Sequence, residues 1–511
     1  MPAPEALQRS GLSPSGLGPK EALGLINGTA PSTAVACLVL HDAQRLALLT
    51  QLLTSLAAEA LGGNVEWALP FVHATRPHAG QVEAAANMRR FLSGSRLVVG
   101  LEAVRRRTGH GLWQDRYSTR TAPQWIGPYL EDLMLAQRQL ETELNSTSDN
   151  PLVDSEAEVA GGSFGDVFSG GNFQATAVTS AMDKTRLALQ MLGRIIFSQV
   201  TEIISPFTNN GLEANLNAGA DDSFTMKGVD VNMAAYMAEL AALAHPVSSH
   251  VMPAEMHNQG VNSLALLSAR RTAEAADLVA LMSACHMYVS CQAVELRAQH
   301  RRFMHLLRDG LLPDPTCHGA LHGLGLAAAA DVTRLADVLF PVLERAWYRE
   351  NGSTWKHRVR HMTEAVTTPV ASFLAAEKHE CSVSQLASWQ RRFDDVMAEA
   401  AAKCFHPGPP MPPAEVAAQL GSGTVRLYAW LRSRLGVPLH CGLDHDPLYN
   451  ARRGLPTDGC KTIGSWISVV YESLRGGALM DMVLDGLETT REQGPRTGDE
   501  FERLCRELEK Y

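Results

Sequence analysis

LALLSARRTAEAADLVALMSACHMYVSCQAVELR, Leu264–Arg297, decides the fold class. Small and apolar residues recur at three- and four-residue intervals, and neither Gly nor Pro interrupts them. Ala, Leu and Met lose little on entering a helix. The spacing predicts a long, largely buried helix that packs against other helices. Asp230–His250 is equally Ala-rich and predicts another. Leu38, Leu40 and Leu46–Leu49 lead into Leu52, Leu53 and Leu56 with the same period. Leu130, Leu133, Leu140 and Leu144 repeat it, as do Leu187, Leu189, Met191 and Leu192. Strand signals are few and short. The reading is an all-α bundle of long helices.

The breaks suggest three regions. Residues 1–310 read as a helical core, opening with a Pro-, Gly- and Ser-rich loop or frayed end up to about Gly18. Residues 311–420 read as a smaller helical insertion, and 421–511 as a C-terminal region. The last boundary follows HPGPPMPPAE (His406–Glu415), which has five prolines. Two connectors, NSTSDNPLVD (Asn145–Asp154) and FSGGNF (Phe168–Phe173), carry the turn chemistry of Asn, Asp, Gly and Pro. Polar loops on a rigid scaffold are where sites tend to sit.

At 511 residues with 45% hydrophobic content, the chain can bury a large core. The net charge of -9 is a mild acidic excess and gives no support for a nucleic-acid or acidic-membrane partner. Nine cysteines are scattered without a Cys-x-x-Cys pair, which disfavours a disulfide framework or a thiolate zinc site and suits a reducing compartment. The N-terminus lacks the pattern of a signal peptide, and no long wholly apolar run appears. The expectation is a cytoplasmic protein without a membrane partner.

Taken residue by residue, the candidates for chemistry are modest. QDRYSTR (Gln114–Arg120) places an amide, a phenol and a guanidinium in one stretch, and Arg120 can grip a carboxylate through two parallel hydrogen bonds. The ordinary alternative is a solvated helix start. AEMHNQ (Ala254–Gln259) puts Glu255 and Gln259 on one face if helical, where solvated polar residues are the usual explanation. Lys227, in FTMKG, gives a weaker signal. His318 and His322 have helical spacing but lack a third ligand, so no metal is expected. No P-loop or GxGxxG occurs, and the glycine clusters give no nucleophile elbow.

Several longer stretches together resemble the aromatic amino-acid ammonia-lyases. They are ALGLINGTA (Ala22–Ala30), RPHAGQVEAA (Arg76–Ala85), QDRYSTRTAPQWIGP (Gln114–Pro128), NSTSDNPLVD, GGNFQATAVTSAMDKTRLA, FTNNGLEANLNAG and HPVSSHVMPAEMHNQGVNSLALLSARRTAEA (His245–Ala275). Their order is the family's. The QDRY, FTNNG and HNQ forms resemble the phenylalanine enzymes, and KTIGSWISVVYESLRGG (Lys461–Gly477) resembles the fungal members. Ser169 departs from the histidine of plant members.

The resemblance implies an elongated all-helical subunit, a homotetramer with shared active sites, and elimination of ammonia from L-phenylalanine to give trans-cinnamate. It implies a 4-methylidene-imidazol-5-one formed from an internal Ala-Ser-Gly, with a loop tyrosine as base. Arg120 resembles the carboxylate clamp. Gln114 and Tyr117 resemble the groups beside ring and substrate, Tyr117 as the catalytic residue stabilising developing charge. Asn27 resembles the asparagine beside the prosthetic ring and the substrate amine. Asn150 and Phe173 resemble residues packing near that ring. Lys227, Glu255, Asn258 and Gln259 resemble the positions facing the substrate. No Ala-Ser-Gly occurs in the 511 residues. In the family, that triad and the tyrosine loop precede the segment that begins here at Met1, so the expectation is an N-terminally truncated record. The alternatives are a non-catalytic subunit assembling with full-length homologues, an aminomutase, or a tyrosine- or histidine-specific member.

Overall fold

The computed structural model describes residues 1–98, 112–159, 163–219, 223–314, 316, 319–326, 328–350, 352–489 and 503–506. Cys317 and His318 lie outside the described residues. The chain forms two compact units. One comprises Met1–Gln44, Glu131–Leu189 and Ala241–Ala276; the other comprises Arg45–Leu130, Gln190–Leu240 and Asp277–Tyr511.

The all-α expectation holds. The principal helices are Ala30–Leu61, Ala122–Leu144, Thr176–Ile204, Lys227–Leu243 and Ala265–Leu306, the last with 42 residues. Leu264 stays out of that helix because its φ of 55° is left-handed. Three expectations need correction. The segment Asp230–His250 is not one helix: it runs Lys227–Leu243, and a short 3-10 turn, Ser248–His250, follows Pro246. The first residues are not all loop. Ala3–Arg9 is helical, with Pro4 in its first turn and an ion pair between Glu5 and Arg9 at 2.9 Å. A β-hairpin also lies between the two polar connectors, described below with the site it serves. Thr176–Ile204 has the length and hydropathy of a bilayer span, but 56% of its apolar window is buried inside the protein, as in a core helix.

In the second unit, polar groups on the buried Asp277–Leu306 part of the long helix find backbone partners, as burial requires. Gln292 Nε2 donates to Leu216 O and His440 O, at 3.2 and 2.9 Å. Arg297 donates to the carbonyls of Ala60, Asn209 and Asn210, each at 3.0 Å. Beyond it, Ala329–Arg349, Trp355–Ala376 and Val383–Ala402 close over Phe303, Leu307, Trp347 and Phe405. Trp347 Nε1 donates to His300 Nδ1 at 3.1 Å, which leaves the His300 proton on Nε2 for Glu213, 2.9 Å away. Burial alone would raise the Glu213 carboxyl; the His300 N–H and the Arg358 guanidinium outweigh it and hold it at about 2.

Glu59, fully enclosed, is the opposite case. Its Oε1 accepts from Gly421 N at 2.7 Å, yet burial pushes its carboxyl up to about 7. A carboxyl raised in the fold adds stability below its unfolded value and loses it as pH rises through the folded value. Glu59→Gln is therefore expected to gain roughly 2–3 kcal/mol over wild type between pH 5 and pH 8 in urea unfolding. A difference independent of pH would contradict the assignment.

Candidate active site

Six of the ten predicted residues border one cavity of about 620 Å³ in the first unit: Asn27, Asn150, Phe173, Glu255, Asn258 and Gln259. They come from four stretches of sequence that local chemistry pins together. Asn27 ends the helix Glu21–Asn27, and the chain turns at Gly28, where a Cβ would sit 2.4 Å from Gly24 O. Thr29 N then donates to Ser148 Oγ at 3.3 Å. Lys20 Nζ donates to Pro151 O and pairs with Asp149 Oδ2, both at 2.6 Å. That ammonium holds the Asp149 carboxyl below its usual range.

The hairpin brings in the next pair. Leu152–Val159 runs antiparallel to Ser163–Phe168, with Leu152 opposite Phe168 and Val153 opposite Val167. The two connectors read as separate loops are thus the two ends of one ribbon. Gly170 N donates to Asn150 Oδ1 at 3.0 Å across that end, and Phe173 follows three residues later.

The Glu255–Gln259 segment is not helical in the i,i+4 sense. Glu255, Met256 and His257 have φ of 50°, 52° and 70°, and Ala254 pairs with Gln259 in an antiparallel bridge. Three consecutive left-handed non-glycine residues cost energy and persist only where their surroundings hold them. Within the turn, Asn258 Nδ2 donates to Glu255 Oε2 at 2.9 Å. Asn262 Nδ2 donates to Met252 O at 2.9 Å, closing the loop's neck. The polar tips of Glu255, Asn258 and Gln259 gather at the cavity by this turn, not by a helix face.

Gln114, Tyr117, Arg120 and Lys227 belong to the second unit. Arg120 closes the single-turn helix Tyr117–Arg120; its Nη1 donates to Gln114 Oε1 and its guanidinium lies 5.5 Å from the Tyr117 ring centroid. The three predicted residues therefore form one cluster, with Gln114 and Tyr117 exposed. Intervening residues of the same stretch hold it down. The buried Asp115 carboxylate accepts from Asn64 N at 2.8 Å and from Trp67 Nε1. Arg116 Nε donates to Thr208 O at 2.7 Å, and Ser118 Oγ pairs with Glu202. Lys227 opens the helix Lys227–Leu243 with its Nζ 4.8 Å from the Phe224 ring centroid.

Asp115, Asp183 and Arg186 are supporting residues that the sequence reading passed over. A signal existed for the last two: a charged pair three residues apart inside an apolar helical run. Among the described residues no cluster of three His, Cys, Asp or Glu side chains could hold a metal ion; His318, half of the weak candidate with His322, lies outside them.

Comparison with known proteins gives a consistent result. The family model for aromatic amino acid lyases matches residues 1–309. A phenylalanine ammonia-lyase of Aspergillus hancockii is 43% identical over 96% of this chain and 69% of its own length. A phenylalanine aminomutase (L-beta-phenylalanine forming) of Talaromyces islandicus is 42% identical over 99% of this chain and 70% of its own. A crystal structure of phenylalanine ammonia-lyase from Rhodosporidium toruloides superposes with a TM-score of 0.83 at 36% identity, covering 95% of this chain and 70% of that one. The chain thus spans roughly two thirds of the length of the proteins it matches.

Replacing Asp115 by Asn sets an amide N–H against donors that now meet a carboxylate. Asp115→Asn is expected to cost about 1–3 kcal/mol in urea unfolding. An unchanged midpoint would show that the carboxylate does not anchor the Gln114–Arg120 stretch.

Proposed function

The chain belongs to the aromatic amino acid lyase family, and on that premise we propose that its site binds L-phenylalanine and serves the non-oxidative elimination of ammonia to trans-cinnamate. The observation that carries the proposal is the convergence of Asn27, Asn150, Phe173, Glu255, Asn258 and Gln259 on one cavity from four separate stretches. Relatives named as phenylalanine ammonia-lyases at 43% and lower identity support the substrate.

Each residue has a role its chemistry suits. Arg120 takes the substrate carboxylate as a charge-assisted pair, with Gln114 fixing the guanidinium. Tyr117, against that guanidinium, places its hydroxyl to stabilise charge that develops during elimination. Glu255, tied to Asn258, and Gln259 are suited to hold and orient the amine end, and Lys227, at the start of its own helix, is a further candidate substrate contact by family resemblance. The residues also fit the family's methylidene-imidazolone. The Asn27 and Asn150 amides and the Phe173 ring border the same cavity, a neutral donor set suited to a planar carbonyl-bearing ring. Asn27 and Phe173 would hold that group. When bound, it supplies the electrophile that makes a poor amine leaving group competent to depart. The residues named here bind and orient the ligand.

The assembly is homomeric in this reading, supported by large apolar side chains left bare in the first unit: Ile26 is 80% exposed, Leu38 72% and Met256 97%. A second reading, aminomutase, has a specific support in the Talaromyces islandicus relative; it keeps the same pocket and returns the amine to the β-carbon.

Trans-cinnamate binding, followed by calorimetry, tests the pocket without requiring turnover. Arg120→Gln is expected to weaken it about 10- to 100-fold, the worth of a hydrogen bond to a charged group. Unchanged affinity would remove Arg120 as the clamp, and no binding by wild type would overturn the proposal. Incubation of the protein purified from its source with L-phenylalanine is expected to yield trans-cinnamate and ammonium in equal amounts; β-phenylalanine as the main product would make it an aminomutase.

A further inference from the structure

The loop that carries Glu255, Asn258 and Gln259 is closed on itself near its tip by the Ala254–Gln259, Glu255–Asn258 and Met252–Asn262 contacts. Its two feet are held elsewhere, and by one element. On the descending foot, the Asp183 carboxylate accepts from Val247 N at 3.2 Å and Ser248 N at 3.0 Å. Arg186 Nη2 donates to His245 O at 3.1 Å. On the ascending foot, Gln174 Nε2 donates to Val261 O at 3.1 Å, and Thr179 Oγ1 donates to Ser263 O at 2.6 Å. Ser268 Oγ donates to Asp183 Oδ1 at 2.8 Å, while Arg186 Nη1 donates to Ser268 O and to Thr272 Oγ1, at 3.1 and 3.0 Å. Asp183 and Arg186 pair with each other at 2.5 Å. Gln174, Thr179, Asp183 and Arg186 all lie between residues 174 and 186, at the start of the Thr176–Ile204 helix.

We propose that Asp183 and Arg186, with Thr179, are positioning residues that clamp both feet of the 245–264 loop, so that its strained tip is delivered to the ligand in one conformation. The inference rests on the functional reading above. None of the three borders the cavity. They act through the loop.

Three points carry the inference. The Arg186 side chain has no solvent exposure, so its charge is held in place by Asp183 and by backbone and hydroxyl oxygens. Asp183 receives five donors from the descending foot, the helix that follows the loop and its own helix: two backbone N–H groups, the Ser248 and Ser268 hydroxyls and Arg186. The loop between the feet contains three consecutive left-handed residues, a conformation that relaxes unless its ends are fixed. A clamp of this kind joins two segments 15 or more residues apart, a separation that the loop's internal bonds at Met252–Asn262 and Ala254–Gln259 do not span.

Hydrogen–deuterium exchange on the intact protein tests this directly, with trans-cinnamate affinity as a second readout. Asp183→Asn and, separately, Thr179→Val are expected to speed exchange across residues 250–263 by about tenfold while leaving residues 279–296 protected as in wild type. Cinnamate affinity is expected to fall at least about fivefold in both. Thr179→Val keeps shape and leaves no unpaired buried charge, so it answers the question even where Asp183→Asn fails to fold. Asp183→Glu, which retains the charge, is expected to restore much of the protection that Asp183→Asn loses. Loop exchange unchanged in Thr179→Val, or accelerated equally in both segments, overturns the clamp. Wild-type protein that binds no cinnamate overturns the functional reading instead, and the exchange difference still decides the clamp.

Discussion

A carboxylate and a guanidinium buried side by side, Asp183 and Arg186, are the interaction on which the first unit's candidate site depends. A buried charge pair earns little net stability by itself. What it supplies here is geometry. Both terminal nitrogens of Arg186 and both oxygens of Asp183 are turned toward backbone or hydroxyl groups of the 245–272 segment. The segment therefore has one way to lie against the Thr176–Ile204 helix. The polar turn it carries is delivered to the cavity already bordered by Asn27, Asn150 and Phe173.

The second unit uses the same device in another form. Asp115 faces inward and holds the QDRYSTR stretch to Asn64 and Trp67, leaving Gln114, Tyr117 and Arg120 clustered on the outside. Buried Asp115, Ser118 and Thr119 are interspersed with exposed Gln114 and Tyr117, so the anchor and the candidate binding groups are inseparable in sequence. Farther along, Glu213 and His300 settle a buried ion network by proton placement: the Trp347 indole fixes the His300 tautomer, and His300 in turn donates to Glu213. In each case donors around a buried acid work against burial: the His300 N–H and Arg358 win at Glu213, while burial wins at Asp115 and Glu59 despite the N–H and O–H groups they accept from.

Much of this was legible in the sequence, and what was not has physical causes. The helices were readable because Ala and Leu recur at helical spacing over dozens of residues, and the Leu264–Arg297 stretch lies almost wholly within the Ala265–Leu306 helix. The family was readable because its motifs are long and ordered, and the match over residues 1–309 agrees with them. The hairpin was hidden because its strands are short and lie between Asn- and Gly-rich connectors that read as loops. The Glu255–His257 turn was hidden because left-handed backbone at Glu, Met and His is set by tertiary contacts, and no glycine marks it. Asp183 and Arg186 were passed over because ion pairs three residues apart are ordinarily solvated; only the fold shows that this one faces inward.

The most direct test of the central claim is a crystal structure of the protein soaked with trans-cinnamate. The account predicts the ligand in the cavity bordered by Asn27, Phe173, Glu255, Asn258 and Gln259, with the 245–264 loop in the conformation described. Ligand bound at another place on the protein, with that cavity empty, would contradict it.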